Sequence, residues 1–91
     1  MAITYDPEKR RQTLVQRGLD FEDASQLFAG LHYTKPADRD HGEDRQISVG
    51  VIGDDVIVVV WTPRDGSQRI ISMRKADRNE RTYYREWLDR S

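Results

Sequence analysis

The chain has 91 residues, of which 36% are hydrophobic and 34% are charged, and its formal net charge is −1. This length predicts one domain, residues 1–91, with a small core. The sequence contains no cysteine, which excludes a disulfide framework and a thiolate metal site. It also lacks an apolar run near the roughly 20 residues that span a bilayer and a signal-peptide segment within residues 1–20, so we expect a cytoplasmic protein without membrane contact.

Two helices are predicted in the first third of the chain. Asp6 followed by Pro7 is typical of a helix start and Gly18 of a helix end, which predicts a helix over residues 7–17. A second helix is expected over residues 20–30. Its apolar stripe consists of Phe21, Ala24, Leu27, Phe28 and Leu31. Because two or three residues join the helices, they should form a helical hairpin.

The middle of the chain predicts a sheet. Residues 32–34 are a possible short strand, and a polar loop follows over residues 35–44. Residues 46–51 alternate polar and apolar, as in a strand with one buried face. Residues 56–61 are apolar throughout, which indicates a central strand covered on both faces, and residues 69–74 form the last strand. The short turns between these strands imply an antiparallel meander of three or four strands.

A terminal helix closes the predicted fold. Asp77 with Glu80 three residues later resembles a capping box, and the helix should run to about residue 88. Three of its residues can face the sheet, namely Tyr84, Trp87 and Leu88, and three arginines form a neighbouring stripe, namely Arg78, Arg81 and Arg85. The predicted class is α+β, with an N-terminal helical hairpin, a three- to four-stranded antiparallel sheet and a C-terminal helix.

Charge is unevenly distributed along the chain. Residues 62–91 contain eight Lys/Arg against five Asp/Glu, a net charge of +3, whereas residues 1–61 contain seven against eleven, a net charge of −4. Such polarity is compatible with a polyanionic ligand. On charge alone, a solvated helix surface is the stronger interpretation.

Most catalytic motifs are absent from the sequence. His32 and His41 lack metal-ligand spacing, and neither a Gly-rich phosphate loop nor a nucleophile-elbow serine is present. We therefore expect neither a metal nor a cofactor. What remains is RNA cleavage by the substrate's own 2′-hydroxyl, which needs fixed cations to stabilise the developing charge and a group that moves protons.

The candidate cations cluster around the last strand and the terminal helix, and guanidinium groups suit phosphate oxygens. Arg69 and Arg74 are five residues apart, so strand alternation places them on opposite faces unless a bulge intervenes. A solvated surface is the simpler interpretation of any single cation. The candidates are Arg64 and Arg74 as catalytic residues and Arg69, Lys75, Arg78, Arg81 and Lys9 as substrate-binding residues.

Two kinds of side chain could transfer protons to and from the RNA during cleavage. Of Tyr83 and Tyr84, one should pack against the sheet while the other could reach a nucleotide, and a tyrosine base needs nearby arginines to lower its pKa from about 10. His41, in the polar loop, is the other candidate. An exposed loop histidine without a function explains His41 equally well.

These motifs together resemble the BrnT family of ribonuclease toxins from type II toxin–antitoxin pairs, and the resemblance covers nearly the whole chain. Its most specific part joins the last strand to the terminal helix. The segments that carry it are Tyr5-Asp6-Pro7-Glu8-Lys9, Gly18 with Phe21-Glu22-Asp23-Ala24, Asp38, His41 and Arg45, Val58-Val59-Val60-Trp61-Thr62 with Arg64, Arg69-Ile70-Ile71-Ser72-Met73-Arg74-Lys75-Ala76, and Glu80-Arg81 before Tyr84. Gln16-Arg17-Gly18 departs from the family's usual Lys-His-Gly, and Met73 from its usual alanine.

The resemblance implies a RelE-like fold and a metal-independent endoribonuclease that cleaves mRNA and inhibits translation. It implies as partner a BrnA-like antitoxin with a ribbon-helix-helix domain, through which alone the toxin would meet operator DNA. By this analogy the site includes Arg64, Arg69, Arg74, Arg81 and Tyr84, with His41 and Lys9 beside them. The alternative is a non-catalytic binding module, or a degenerate toxin, that partners such a DNA-binding protein in autoregulation.

Overall fold

The structure is a computed structural model that describes residues 2–37 and 44–91. These residues form an α+β fold in which three helices pack on a five-stranded mixed sheet. The strands are β1 (Ile3–Tyr5), β2 (Tyr33–Pro36), β3 (Gln46–Ile52), β4 (Asp55–Arg64) and β5 (Ser67–Lys75). The helices are α1 (Pro7–Arg17), α2 (Ala24–Ala29), which follows a 3₁₀ turn (Phe21–Asp23), and α3 (Arg78–Arg90). None of the helices in this part of the chain is long and apolar enough to cross a membrane.

The sheet differs from the predicted antiparallel meander by one strand. The strand order is β1-β5-β4-β3-β2, and β1 runs parallel to β5 whereas the other pairs are antiparallel. Thr4 of β1 lies opposite Arg69 of β5. A three-residue strand whose partner lies so far along the chain produces no local pattern, which is why the sequence did not reveal β1. The prediction of a purely antiparallel sheet is therefore wrong.

The first two helices do not form the predicted hairpin. Helix α1 has the predicted ends, with the Asp6 side chain accepting a hydrogen bond from the Glu8 amide and Gly18 in the left-handed region at φ 68°. However, the main neighbour of α1 is β5, whereas that of α2 is β3. The second helix also starts as a 3₁₀ turn and ends early, so that Leu31 is 66% exposed and does not belong to the apolar stripe.

The β4–β5 connection is a tight turn within residues 62–67, where the sequence suggests a turn, and both strands extend into that range. Arg64 pairs with Ser67, which leaves a two-residue loop of Asp65 and Gly66. Their φ angles are 51° and 78°, and a type I′ turn requires positive φ at both positions. This turn fixes the register of β4 against β5.

Two apolar layers cover the sheet. We call the face that packs against α2 the first face and the face that packs against α3 the second face. The first-face cluster comprises Phe21, Ala24, Leu27, Ile57, Val59, Trp61, Ile70 and Met73. The second-face cluster comprises Val49, Val58, Ala76 and Tyr84, with Tyr33, Ile47, Val56, Trp87 and Leu88 packed against it. Strand β4 is central in the sheet, and its Ile57, Val58 and Val59 are fully buried on alternate faces, as predicted.

Gly50 in β3 is expected to be intolerant of a side chain. A Cβ placed there would lie 2.8 Å from Cγ of the fully buried Leu27 and 3.0 Å from Cβ of His32. We expect Gly50→Ala to lower the free energy of unfolding by about 1–3 kcal/mol, as for overpacked cores. Gly30→Ala is the matched control, because its Cβ would meet nothing closer than 3.7 Å. Urea unfolding of both variants compares them, and equal stability would contradict the packing described here.

Candidate functional site

A β-bulge brings Arg69 and Arg74 to the same face of the sheet. The β4–β5 ladder shifts register between Val60 and Trp61, where Val60 pairs with Ser72 but Trp61 pairs with Ile70. Ile71 is therefore the extra residue on β5. As a result Arg69 lies opposite Thr62 and Arg74 opposite Val58.

Strand alternation then assigns the face. Thr62 and Val58 are four residues apart on β4, so they point to the same side, and Val58 belongs to the second-face cluster. Arg64 follows Thr62 by two residues on β4 and shares that side. We call Arg64, Arg69 and Arg74 the arginine row. At about 3.3 Å per residue the row extends roughly 20 Å along the second face.

Helix α3 leaves this part of the second face open. Tyr84 of α3 packs over Val49 and Val58. The pair Val60 and Ser72, which lies between Arg69 and Arg74 along the strands, is only half-buried. The arginine row therefore borders a partly accessible sheet surface between Arg69 and Arg74, whereas Thr62 opposite Arg69 is only 3% exposed. Within the described residues Arg69 forms no hydrogen bond or ion pair, so its guanidinium group can accept an external anion.

Arg74 is oriented by Glu80. Its Nη1 and Nη2 atoms donate to Oε1 and Oε2 of Glu80 at 2.7 and 2.9 Å. Glu80 Oε1 also accepts the Asp77 amide at 2.8 Å, within the predicted capping box of α3. The Arg74 guanidinium holds the pKa of Glu80 well below its usual range, at about 2. The start of α3 and the orientation of Arg74 thus depend on one carboxylate.

This pair predicts a loss of stability in acid. A carboxyl with a folded pKa of about 2 and a reference value of 4.5 contributes stability above pH 4.5 that disappears as pH falls towards 2. Because Arg74 is 47% exposed, solvent screening reduces this contribution to about 1 kcal/mol. In urea unfolding, we expect the free energy of unfolding of wild type to exceed that of Glu80→Gln by this amount at pH 6 but not at pH 2. Glu86→Gln, an exposed position on the same helix, is the control, and a pH-independent difference would contradict the assignment.

Tyr84 lies in the core. It is 3% exposed, and its hydroxyl donates to the Leu31 carbonyl oxygen at 2.7 Å. Burial raises the pKa of the Tyr84 hydroxyl, which opposes a role as a base at neutral pH. Tyr83 is the tyrosine that remains accessible, at 51% exposure. The expectation that one of the two packs and the other reaches solvent is met, but Tyr84 is the one that packs.

The other predicted cations are not part of the arginine row. Residues on an α-helix step by about 100°, so Arg78 and Arg81 lie on the flank of α3 opposite to Tyr83, and Arg81 donates to the Ala76 carbonyl oxygen at 2.9 Å. Lys75 pairs with Ile57 on the first face and approaches Asp55 at 3.7 Å.

Two further predicted residues are not part of the described row. Lys9 is exposed on α1, and α1 is joined to the first-face layer by a bidentate pair between Arg10 and Asp20. His41 and Asp38 lie outside the described residues. The described residues on either side of that segment, Ala37 and Arg45, are joined by a backbone hydrogen bond of 2.9 Å.

A cleft between α3 and β2 opens beside Glu80. Its lining residues are Tyr33, Lys35, Asn79, Glu80 and Tyr83. The sequence places Lys35 in the polar loop, but it lies in β2 opposite Ile47, on the second face. The alternation of Tyr33 and Lys35 around Thr34 was the signal that could have extended this strand.

Comparison with protein families gives a match over most of the chain. A family model described as "Ribonuclease toxin, BrnT, of type II toxin-antitoxin system" matches residues 5–80. No curated protein matches the chain. The matched range begins in β1 and ends at Glu80, so it contains the whole arginine row and the carboxylate that orients Arg74.

Proposed function

The chain belongs to the BrnT family of ribonuclease toxins of type II toxin–antitoxin systems, and from this premise we propose that it is a metal-independent endoribonuclease that cleaves mRNA and inhibits translation. The observation that supports this proposal is the bulge at Ile71, which gives Arg69 and Arg74 a common face. Three guanidinium groups along an open sheet surface suit the backbone of a single RNA strand.

In the proposed reaction the RNA supplies its own nucleophile. The 2′-oxygen forms a bond to the adjacent phosphorus, the bond from phosphorus to the 5′-oxygen breaks, and a 2′,3′-cyclic phosphate and a 5′-hydroxyl result. Arg69 and Arg74 neutralise the additional negative charge at phosphorus. Arg74 is oriented for this task by Glu80, so little reorganisation accompanies the reaction.

Proton transfer is assigned to His41. A base must remove the proton of the 2′-hydroxyl and an acid must protonate the leaving oxygen, and an imidazole with its usual pKa near 6.5 suits both tasks at neutral pH. The Tyr84 hydroxyl is already donated to Leu31, so Tyr84 is left out of the proposed chemistry. Arg45, which follows the His41 segment, is adjacent to Asp44, whose carbonyl oxygen accepts a hydrogen bond from Thr62 on the face of the arginine row.

A toxin of a type II pair has an antitoxin as its partner. We propose that this antitoxin is BrnA-like, with a ribbon-helix-helix domain, and that the toxin meets operator DNA only through it. The proposed location of both is the cytoplasm, where mRNA is accessible.

A non-catalytic module is the second candidate. It is favoured by the ion pair between Arg74 and Glu80, because a neutralised guanidinium binds phosphate less readily. In that case the protein would partner its DNA-binding antitoxin without cutting RNA.

Incubation of the purified protein with RNA in excess EDTA separates these functions. Cleavage with cyclic phosphate ends is the expected result. Intact RNA under these conditions and in added Mg²⁺, with retained antitoxin binding, would contradict the enzyme and support the module.

A further inference from the structure

The cleft between α3 and β2 is continuous with the arginine row. Glu80 lines the cleft and at the same time holds Arg74, so the cleft begins where the row ends. Lys35 lines the cleft from β2 and is close enough to Glu80 to lower the pKa of its carboxyl. A chain bound along the row would therefore pass the mouth of the cleft between two cations.

One wall of the cleft is aromatic. Tyr83 is 51% exposed, and its ring meets that of Tyr33 at a centroid distance of 5.5 Å and an interplanar angle of 72°. Tyr33 in turn contacts Trp87 at 5.4 Å. This support holds the Tyr83 ring in place while part of it stays accessible. A supported and accessible ring of this kind can stack with any base.

The polar atoms of the cleft suit a base edge better than a phosphate. Glu80 Oε1 accepts hydrogen bonds from both Arg74 and Asp77, whereas within the described residues Oε2 accepts only from Arg74. Since a carboxylate oxygen has two acceptor sites, Oε2 can accept one more N–H. The carboxylate repels a phosphate but accepts the amino or imino group of a nucleobase.

We propose that this cleft binds one nucleobase of a single-stranded RNA whose backbone lies on the arginine row. The base stacks on Tyr83 and donates to Glu80 Oε2, and Lys35 and Arg74 contact the phosphates on either side. This inference rests on the proposed function, because it assigns a further part of the same substrate to Tyr83 and Lys35.

The test measures the affinity of the full chain for 2′-fluoro RNA nonamers, which lack the attacking hydroxyl and are not cut. Tyr83→Ala should weaken binding by roughly 5- to 150-fold, the usual loss of one base–aromatic stack. Tyr83→Phe should retain wild-type affinity because it keeps the ring. Val15→Ala, an exposed apolar position on α1, is the control and should have no effect.

An abasic scan makes the test specific. One position of the nonamer is made abasic at a time, and at one of them wild type should lose affinity by the same factor as Tyr83→Ala does on intact RNA. On that abasic RNA, Tyr83→Ala should bind with the same affinity as wild type.

The remaining outcomes overturn the inference in distinguishable ways. If wild type binds the nonamers and Tyr83→Ala binds equally well, the cleft does not hold a base although the proposed function stands. If Tyr83→Ala instead weakens only antitoxin binding, the cleft belongs to the protein partner. If wild type binds no RNA at all, the proposed function fails and this inference fails with it.

Discussion

Replacing Arg69 and Arg74 together by alanine is expected to slow RNA cleavage by at least about 10³-fold. Loss of one preorganised donor to a developing anion usually costs roughly 10²–10³ in rate, and these two guanidinium groups lie on one face through the bulge at Ile71. The fold should survive, since Arg69 has no partner in the described chain and exposed ion pairs such as Arg74–Glu80 contribute about 0–1 kcal/mol. Single-turnover cleavage of a defined RNA measures the effect.

The control for this experiment is Arg85→Ala. Arg85 is an exposed arginine of α3 on the flank opposite to Tyr83, so the variant changes the net charge without touching the row. It should cleave at the wild-type rate. Undiminished cleavage by the double variant, with circular dichroism unchanged, would remove Arg69 and Arg74 from the site.

Leu27→Ala is expected to lower the free energy of unfolding by about 2–5 kcal/mol. Leu27 is fully buried in the first-face cluster, and truncating a buried leucine costs the lost burial and the resulting cavity. The free energy of unfolding of a small domain is only about 5–15 kcal/mol, so a sizeable fraction of the variant should be unfolded at 37 °C.

Leu31→Ala is the matched comparison for Leu27→Ala. Both leucines belong to one helical stripe in the sequence, but Leu31 is 66% exposed, so its truncation should change stability by no more than about 0.5 kcal/mol. Urea unfolding followed by tryptophan fluorescence measures both. Equal losses of unfolding free energy in Leu27→Ala and Leu31→Ala would contradict the end of α2 before Leu31.

Local sequence signals predicted the helix caps and the β4–β5 turn correctly. The caps of α1, the capping box of Asp77 and Glu80 and the turn at Asp65–Gly66 are each set by residues a few positions apart. The central position of β4 could also be predicted, because an apolar residue at every position requires cover on both faces.

Features that depend on distant partners could not be predicted. β1 pairs only with β5, at the other end of the chain, and the hydroxyl of Tyr84 donates to the carbonyl oxygen of Leu31, 53 residues earlier. The common face of Arg69 and Arg74 required a bulge, and nothing in the β5 sequence marks Ile71 as the inserted residue. The candidate residues were therefore visible in the sequence, whereas their spatial arrangement was not.

Glu80 links the fold to the candidate site. The same carboxylate caps α3, orients Arg74 and lines the cleft. Arg74 follows Ile71 by three residues in β5, and α3 begins four residues after Arg74. The geometry of the site therefore follows from the β5–α3 segment.

The salt dependence of RNA binding tests most directly whether the arginine row contacts the RNA backbone. For single strands the logarithm of affinity falls with the logarithm of salt concentration by about 0.7 per neutralised phosphate. On 2′-fluoro RNA, the slope of Arg69→Ala should therefore be smaller in magnitude than that of wild type by about 0.7, while Arg85→Ala leaves the slope unchanged. Identical slopes for wild type and Arg69→Ala would contradict an RNA backbone held on this face of the sheet.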